Sequence, residues 1–154
     1  MSMVLRRAHS RDVALMHALL VAGAEKGLLL PRSRAQLFTA LRDFCVLADE
    51  KTGEIAGCCA LAVIWEGLAE VRSLYVADAF RRRGYGHTLV NACLEDAASL
   101  GITQIFTLTY ETAFFRGVGF AEISKESLPQ KIWTDCIHCP KFPNCDEIAM
   151  IRSV

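Results

Sequence analysis

The segment Arg81 to Gly86 constrains this chain most, because it joins an apolar run to an amphipathic pattern. The run Val71 to Val76 predicts a strand, and the apolar spacing between Leu89 and Leu94 predicts a helix that ends at Gly101. Two glycines let the backbone turn tightly, and the first amides of a helix are unpaired donors that point toward an anion. Strand, basic glycine loop and helix together predict a site for a pyrophosphate, although a short pattern of this kind is more often an ordinary loop.

Hydrophobic periodicity predicts the rest of an α/β fold in which helices cover a mixed sheet. The expected elements are strands at 4–8, 44–48, 55–64, 68–76, 102–109, from Phe120 and at 147–151, with helices from 13, after Ser33, after Gly86 and around Phe114. We expect Ser33 to cap the second helix, with Leu37, Phe38 and Leu41 on one face. We expect the last strand to lie at a sheet edge.

Length and composition indicate one globular domain spanning residues 1–154. The chain has 154 residues, 53% hydrophobic content, and 17 basic and 17 acidic side chains. Formal neutrality argues against a nucleic-acid partner bound by bulk charge, so a small anionic ligand is favoured. No apolar run reaches the roughly 18 residues of a membrane span, and the first residues lack a signal-peptide layout. We therefore expect a cytoplasmic protein without a membrane partner.

Cys45, Cys58, Cys59 and Cys93 stand in apolar surroundings, where cysteine usually behaves as a small buried hydrophobe. Without an export signal, we expect these thiols to be reduced and a disulfide framework to be absent.

Two spaced motifs resemble those of the GCN5-related N-acetyltransferases. Arg81-x-x-Gly84-x-Gly86 is similar to the acetyl-CoA signature of that family, and Phe114-Phe115 followed by Gly119-Phe120 is similar to its second motif. The resemblance implies the family's fold, a mixed and mostly antiparallel sheet flanked by helices, and acetyl-CoA as co-substrate. It also implies a set of carrier-binding residues, namely Leu74, Tyr75, Val76, Arg81, Arg83, Gly84, Tyr85, Gly86, His87, Thr88 and Phe115.

Direct transfer to an amine requires that the ammonium group lose a proton, so a general base is needed. Glu70 lies eleven residues before Arg81, where members of this family often place a carboxylate. The alternative is a Glu70 paired with Arg72 or exposed to solvent. Many relatives have tyrosine as the second aromatic residue of the later motif, to protonate the departing thiolate, but this chain has Phe115. Tyr110 or solvent would then supply that proton.

A closer resemblance is to the short, single-domain type of N-acetylglutamate synthase. Gly27 to Arg34 is similar to the Gly-Ile-Leu-x-x-Arg-Ser-Arg segment of those enzymes. The resemblance implies acetylation of the α-amino group of glutamate, the first step of arginine biosynthesis. It also implies substrate contacts from Leu30, Arg32, Arg72, Lys131 and Lys141.

Rival interpretations of the chain are acetylation of another amine, such as glutamine, a small-molecule amine or a protein lysine, and a non-catalytic acyl-CoA-binding sensor of thiols or metals. Dimerisation is common in the fold, so a homodimer is an expected assembly, but the sequence offers no clear interface.

The tail, residues 128–154, departs from the classical synthases and resembles that of the short ones. Its Cys136, Cys139 and Cys145 have a spacing compatible with zinc, with His138 or Asp146 as a fourth ligand. One CxxC and a third cysteine make an incomplete structural site, so a redox-sensitive disulfide and simple packing stay open.

Overall fold

A seven-stranded sheet, in the order β1-β2-β3-β4-β5-β7-β6, forms the centre of the computed structural model, which describes residues 3–128 and 146–154. The strands are β1 (Met3–Arg7), β2 (Phe44–Asp49), β3 (Ile55–Trp65), β4 (Leu68–Val76), β5 (Gln104–Thr109), β6 (Ala121–Ile123) and β7 (Ile148–Ser153). The helices are α1 (Val13–Glu25), α2 (Arg34–Thr39), α3 (Tyr85–Ser99) and α4 (Thr112–Gly117). Only β4 and β5 pair in parallel, and the other neighbours are antiparallel. The mixed, mostly antiparallel sheet is confirmed.

Helices cover both faces of the sheet, and alternation along the strands divides the core accordingly. Cys58 of β3 packs among buried residues of α1 and α2, whereas the adjacent Cys59 packs among those of α3. The first face is called the α1–α2 face below, and the second the α3–α4 face. A third apolar cluster around Phe106 extends the α1–α2 face across β5 and β7.

Local signals fix several helix ends as expected. Ser33 Oγ accepts from the amide of Gln36 at 3.1 Å, and Gln36 Oε1 accepts from the amide of Ser33 at 2.8 Å, so the predicted cap is confirmed as a reciprocal capping box. Gly101 follows α3 with a φ of +76°, as a helix-ending glycine should.

Two expectations about packing are wrong. β7 is not an edge strand, because it inserts between β5 and β6 and pairs with both. Phe38 is 52% exposed, while Leu37 is 1% exposed. In a helix Leu37 and Leu41 lie four residues apart on one face, whereas Phe38 is rotated by about 100° from Leu37. The six-residue α2 therefore buries only Leu37.

Cys45, Cys58, Cys59 and Cys93 are free thiols in the core, which confirms the expectation that these four residues are buried. Cys59 and Cys93 have their sulfur atoms 3.5 Å apart, between β3 and α3. Burial raises the pKa of the Cys58 thiol. Within the described parts of the chain, no helix combines the length and apolar character needed to cross a bilayer.

Candidate functional site: a cavity at the gap between β4 and β5

A bulge in β4 opens the sheet beside β5. Cys58 pairs with Tyr75 and Ala60 with Arg72, so two residues of β4 stand opposite one residue of β3. Ser73, one of the two, has a φ of +56°, a left-handed conformation that is costly for a residue with a Cβ. Strained backbone of this kind concentrates at functional sites, and here it lies three residues beyond Glu70, the last residue of β4 that pairs with β5.

Parallel pairing between β4 and β5 stops at the pair of Glu70 and Phe106. Beyond that pair, Thr107 Oγ1 donates to the carbonyl oxygen of Val71 at 2.9 Å, so a side chain bonds the diverging strand. The divergence leaves a cavity of about 600 Å³ next to the bulged segment.

The cavity takes its lining from both faces of the sheet. Leu30, Arg32, Glu70 and Arg72 line it from the α1–α2 face, and Gly84, Gly86 and Phe115 line it from the α3–α4 face. Pairing of Glu70 with Ala62 and of Arg72 with Ala60 places both charged side chains on the α1–α2 face. Two ligands entering from opposite faces could therefore meet at the gap.

The loop before α3 has the geometry of an anion site. Arg82 and Gly84, which are separated by Arg83, have φ values of +64° and +78°, and a loop in which left-handed residues alternate with others can turn successive amides toward one concave surface. Gly84 is the N-cap of α3, whose first amides and positive dipole end point the same way. The predicted strand, basic loop and helix are thus present, and Gly84 is needed there for its backbone conformation.

Arg81 is held at the edge of the cavity by two contacts. Its Nε lies 3.1 Å from Asp78 Oδ1, and its guanidinium lies 5.3 Å from the centre of the Tyr75 ring. Lys26 at the end of α1 also binds Asp78. The Lys26 and Arg81 charges hold the pKa of the Asp78 carboxyl below its usual value. Arg81 therefore presents a positive charge that is already oriented.

Aromatic contacts fix α4 against the start of α3. The Phe114 ring lies 5.0 Å from the His87 ring and 5.1 Å from the Phe115 ring. A Cβ on Gly86 would lie 3.0 Å from Phe114 Cε1, so a larger residue here would require the ring to shift by a few tenths of an ångström. Phe115 is buried and lines the cavity, as expected for a groove residue.

Glu70 and Arg72 form an ion pair on β4. Glu70 Oε1 accepts from Arg72 Nη2 at 2.5 Å and from Arg72 Nε at 3.0 Å. The Glu70 side chain is 13% exposed and the Arg72 side chain 22%. The pairing anticipated as an alternative is thus present, and both partners still line the cavity, where they place one carboxylate and one cation beside the bulge.

The cavity brings together most of the residues predicted for the site. They are Leu30, Arg32, Glu70, Arg72, Leu74, Tyr75, Val76, Arg81, Gly84, Tyr85, Gly86, His87 and Phe115.

Three described residues assigned to the site from sequence lie outside the cavity lining. Arg83 stacks on the Phe80 ring at 5.6 Å, and Thr88 donates its hydroxyl to the Gly84 carbonyl at 3.1 Å. Tyr110 donates its hydroxyl to Asp146 Oδ1 at 2.6 Å.

The substrate candidates Lys131 and Lys141, and the metal candidates Cys136, Cys139 and Cys145, lie outside the described residues. Among residues 3–128 and 146–154, no group of three or more histidine, cysteine or acidic side chains is arranged to hold a metal ion.

Sequence reasoning missed several lining residues, including Leu29, Arg82, Thr109 and Glu147. Arg82 lies inside the basic motif, so the assignment of its neighbours Arg81 and Arg83 to the site was a signal by which Arg82 could have been found. Glu147 is only 7% exposed, and the sequence around it predicts no more than the start of a strand. No local pattern could have indicated that β7 would carry it to the gap.

Comparisons with known proteins indicate the family to which this chain belongs. Residues 14–121 match the acetyltransferase (GNAT) family model. An uncharacterised N-acetyltransferase of Chlorobaculum tepidum is 41% identical over 149 residues, which are 97% of this chain and 95% of that protein. The amino-acid acetyltransferase of Mycobacterium tuberculosis is 34% identical, over 86% of this chain and 76% of that protein.

Solved structures agree with this comparison. A Mycobacterium tuberculosis protein in complex with CoA and a ligand designated NLQ has a TM-score of 0.85 at 29% identity, covering 98% of this chain and 99% of that one. The N-acetylglutamate synthase of Neisseria gonorrhoeae, complexed with coenzyme A and N-acetyl-glutamate, has a TM-score of 0.88 at 28% identity, and the match covers 99% of this chain but 35% of that one. At these TM-scores both bound structures share the overall fold of this chain. The chain therefore belongs to the GNAT family of acetyltransferases.

Proposed function

We propose that this protein transfers the acetyl group of acetyl-CoA directly to the α-amino group of L-glutamate, the first step of arginine biosynthesis. The observation that carries the proposal is a cavity that is lined from both faces of the sheet. A carrier whose diphosphate rests on the loop before α3 would bring its thioester to the gap between β4 and β5. An amino acid held on the α1–α2 face would meet that thioester there, which removes the entropic cost of bringing two reactants together.

Arg32 is the proposed ligand of an acceptor carboxylate. It lies between α1 and α2, lines the cavity and is half-buried, whereas Arg34 two residues later is exposed and lies outside the lining. A guanidinium can donate two parallel hydrogen bonds to a carboxylate, which suits an amino-acid substrate better than a simple amine. The relatives described as amino-acid acetyltransferases support this substrate class.

Glu70 is the proposed general base, acting directly or through one water. Its ion pair with Arg72 orients the carboxylate beside the bulge, where the amine and thioester would meet. Backbone amides of the bulged segment, residues 72–76, would stabilise the oxyanion that forms as the amine attacks. The resulting sequence is proton removal, attack on the thioester carbon, collapse of the tetrahedral intermediate and departure of CoA.

The proposed setting follows from the substrates. We propose that the whole chain acts as one domain in the cytoplasm, in keeping with its buried free thiols. A homodimer stays a prediction from the family resemblance, as do the contributions of Tyr110, Lys131 and Lys141.

The test is CoA release measured across the free amino acids, with wild type beside Arg32→Ala and its matched control Arg34→Ala. We expect L-glutamate to be the best acceptor, Arg32→Ala to raise its apparent KM on the order of 10-fold or more, and Arg34→Ala to change it little. Glu70→Gln should lower kcat chiefly. An Arg32→Ala enzyme that keeps the wild-type KM would refute the glutamate assignment.

A second candidate function is the same chemistry on glutamine or another amine that bears a carboxylate. Arg32 favours this function equally, and CoA release measured across the free amino acids distinguishes glutamate from the other acceptors. A protein that binds CoA but acetylates no amine would instead support the non-catalytic sensor.

A further inference from the structure

Asp78 is an acidic residue at the edge of a site that must accept an anion. It lies between β4 and the basic loop before α3, and its side chain is 64% exposed. An uncompensated carboxylate beside a diphosphate would weaken binding through like-charge repulsion. The contacts of Asp78 therefore decide whether it weakens or strengthens anion binding at this edge.

A short 3-10 turn, Asp78–Phe80, fixes Asp78 relative to Arg81. The Phe80 side chain is buried, which anchors the turn in the core. Side chains three residues apart lie on the same side of such a turn. Arg81 Nε accordingly lies 3.1 Å from Asp78 Oδ1, and the Arg81 amide donates to the Asp78 carbonyl oxygen at 3.3 Å. The ion pair therefore follows from local backbone geometry.

The Tyr75 ring provides a second contact for the same guanidinium. Tyr75 is 4% exposed, and a Cβ on Gly23 of α1 would lie 2.9 Å from Tyr75 Cδ1, so α1 packs tightly against this ring. The Arg81 guanidinium lies over the ring, 5.3 Å from its centre. Two contacts in different directions leave Arg81 fewer rotamers than a free arginine side chain has.

The contact with Asp78 is made by Nε, which leaves the Nη1 and Nη2 donors of Arg81 for a ligand. Within residues 3–128 and 146–154, this guanidinium makes no ion pair other than the one with Asp78. Two parallel N–H donors are the arrangement in which arginine binds phosphate oxygens best. Arg81 can therefore keep its contact with Asp78 while it donates to a diphosphate.

Lys26 offsets the charge of Asp78. Its ammonium group, at the end of α1, binds Asp78 Oδ2, whereas Arg81 contacts Oδ1. The hydrogen bond from Lys26 and the charges of both cations lower the pKa of the Asp78 carboxyl, so it is ionised at neutral pH. The three side chains together carry one net positive charge. Asp78 can thus orient Arg81 without making this edge of the cavity negative.

We propose that Asp78 is a positioning residue that holds the Arg81 guanidinium in the orientation that binds the diphosphate of acetyl-CoA. This inference rests on the proposed docking of that diphosphate on the loop before α3. The side chains of Lys26, Asp78 and Arg81 are 42%, 64% and 43% exposed, so solvent screens their ion pairs and the effect on folding stability should be small. The effect should appear in carrier binding, because an arginine that is already ordered loses less conformational entropy when its ligand binds.

The experiment is a calorimetric titration of CoA into the full chain as wild type, Asp78→Asn, Arg81→Ala and the double variant. If only the charge of Asp78 mattered, its neutralisation would tighten the binding of an anion. Positioning predicts the opposite sign, so we expect Asp78→Asn to weaken CoA binding roughly 3- to 10-fold. In the Arg81→Ala background no guanidinium remains to be positioned, and Asp78→Asn should leave the affinity unchanged or increase it.

Three further variants and one kinetic measurement control this result. Asp78→Glu keeps the carboxylate and should restore part of the affinity. Lys26→Met combined with Asp78→Asn has the net charge of wild type and should still bind CoA more weakly than wild type. Glu111→Gln removes an exposed acid from the cavity lining and should not weaken binding. With acetyl-CoA as substrate, Asp78→Asn should raise the KM for this donor and leave kcat unchanged, and unchanged melting temperatures show that the variants are folded.

The possible failures separate this inference from the proposed function. An Asp78→Asn protein that binds CoA as tightly as wild type, or more tightly, overturns the inference and leaves the proposed acetyl transfer intact. Weakening of equal size in both backgrounds also overturns it, because Asp78 would then act other than through Arg81. An Arg81→Ala protein that binds CoA like wild type, or a wild type that binds no CoA, overturns both the inference and the docking on which it rests.

Discussion

Replacing Gly86 by alanine should destabilise the protein through one identifiable contact. Gly86 is the second residue of α3, where alanine would ordinarily stabilise a helix by up to about 1 kcal/mol. Here the new Cβ would lie 3.0 Å from Phe114 Cε1 and 3.2 Å from Cζ, so the ring must move. Overpacking of this kind costs about 1–3 kcal/mol, so we expect a net loss of about 1–2 kcal/mol.

The background variant Phe114→Leu removes the ring atoms that Gly86→Ala would meet. In that background Gly86→Ala should be neutral or stabilising, which gives a coupling free energy of about 2 kcal/mol in a double-mutant cycle. The assay is guanidinium unfolding of the four proteins, followed by fluorescence and circular dichroism.

Gly84→Ala is the matched control, because nothing lies within 4 Å of its Cβ position and its φ is +78°. Its cost of about 1–2 kcal/mol comes from the left-handed backbone and should be the same in both backgrounds. If Gly86→Ala stabilises the wild type, or costs the same with and without the Phe114 ring, the packing argument is refuted.

Three further predictions concern stability and thiol reactivity. Asp12 accepts hydrogen bonds from Arg6 and from the amide of His9, which lower the pKa of its carboxyl, so Asp12→Asn should lose about 2 kcal/mol at neutral pH. Because the pKa of this carboxyl is lower in the folded state than in the unfolded state, the ion pair stabilises the fold at pH values above the unfolded pKa of about 4, and this stabilisation is lost as the pH falls through the folded pKa. The urea midpoints of wild type and Asp12→Asn should therefore converge toward pH 2, and parallel pH curves would exclude the ion pair as the cause. Replacing Phe106, which is 0% exposed, by alanine should lower the free energy of unfolding by about 3–5 kcal/mol. A loss under 1 kcal/mol in urea unfolding would contradict the place of Phe106 in the core. The four buried cysteines should react with an aromatic disulfide reagent only after denaturant is added, because they are shielded from solvent and because hydrogen bonds to neighbouring thiols (Cys45, Cys93) and burial raise their pKa values; rapid reaction of all seven cysteines in the native protein would contradict this prediction.

Local sequence signals predicted much of the fold and the side of the cavity at the start of α3. Ser33 has its capping partner three residues away, and Gly84 and Gly86 lie two residues apart at the start of α3, so short-range chemistry determines both. The placement of β7 between β5 and β6 depends on pairing between distant segments, which periodicity alone does not encode.

The opposite side of the cavity was harder to predict for the same reason. Ser73 adopts a left-handed backbone conformation that the sequence does not predict, since glycine is the residue that usually indicates it. Glu147 reaches the cavity only because β7 is internal, and an isolated glutamate before a strand carries no signal of its own. Position in the assembled sheet, rather than residue type, makes both of them part of the site.

Initial-velocity kinetics with acetyl-CoA and L-glutamate varied together test the central claim most directly. Direct transfer in one cavity requires both substrates to be bound at once, which predicts double-reciprocal lines that intersect. The described lining of the cavity contains no cysteine that could carry the acetyl group between two half-reactions. Parallel lines, with an acetylated protein isolated in the absence of glutamate, would contradict the account.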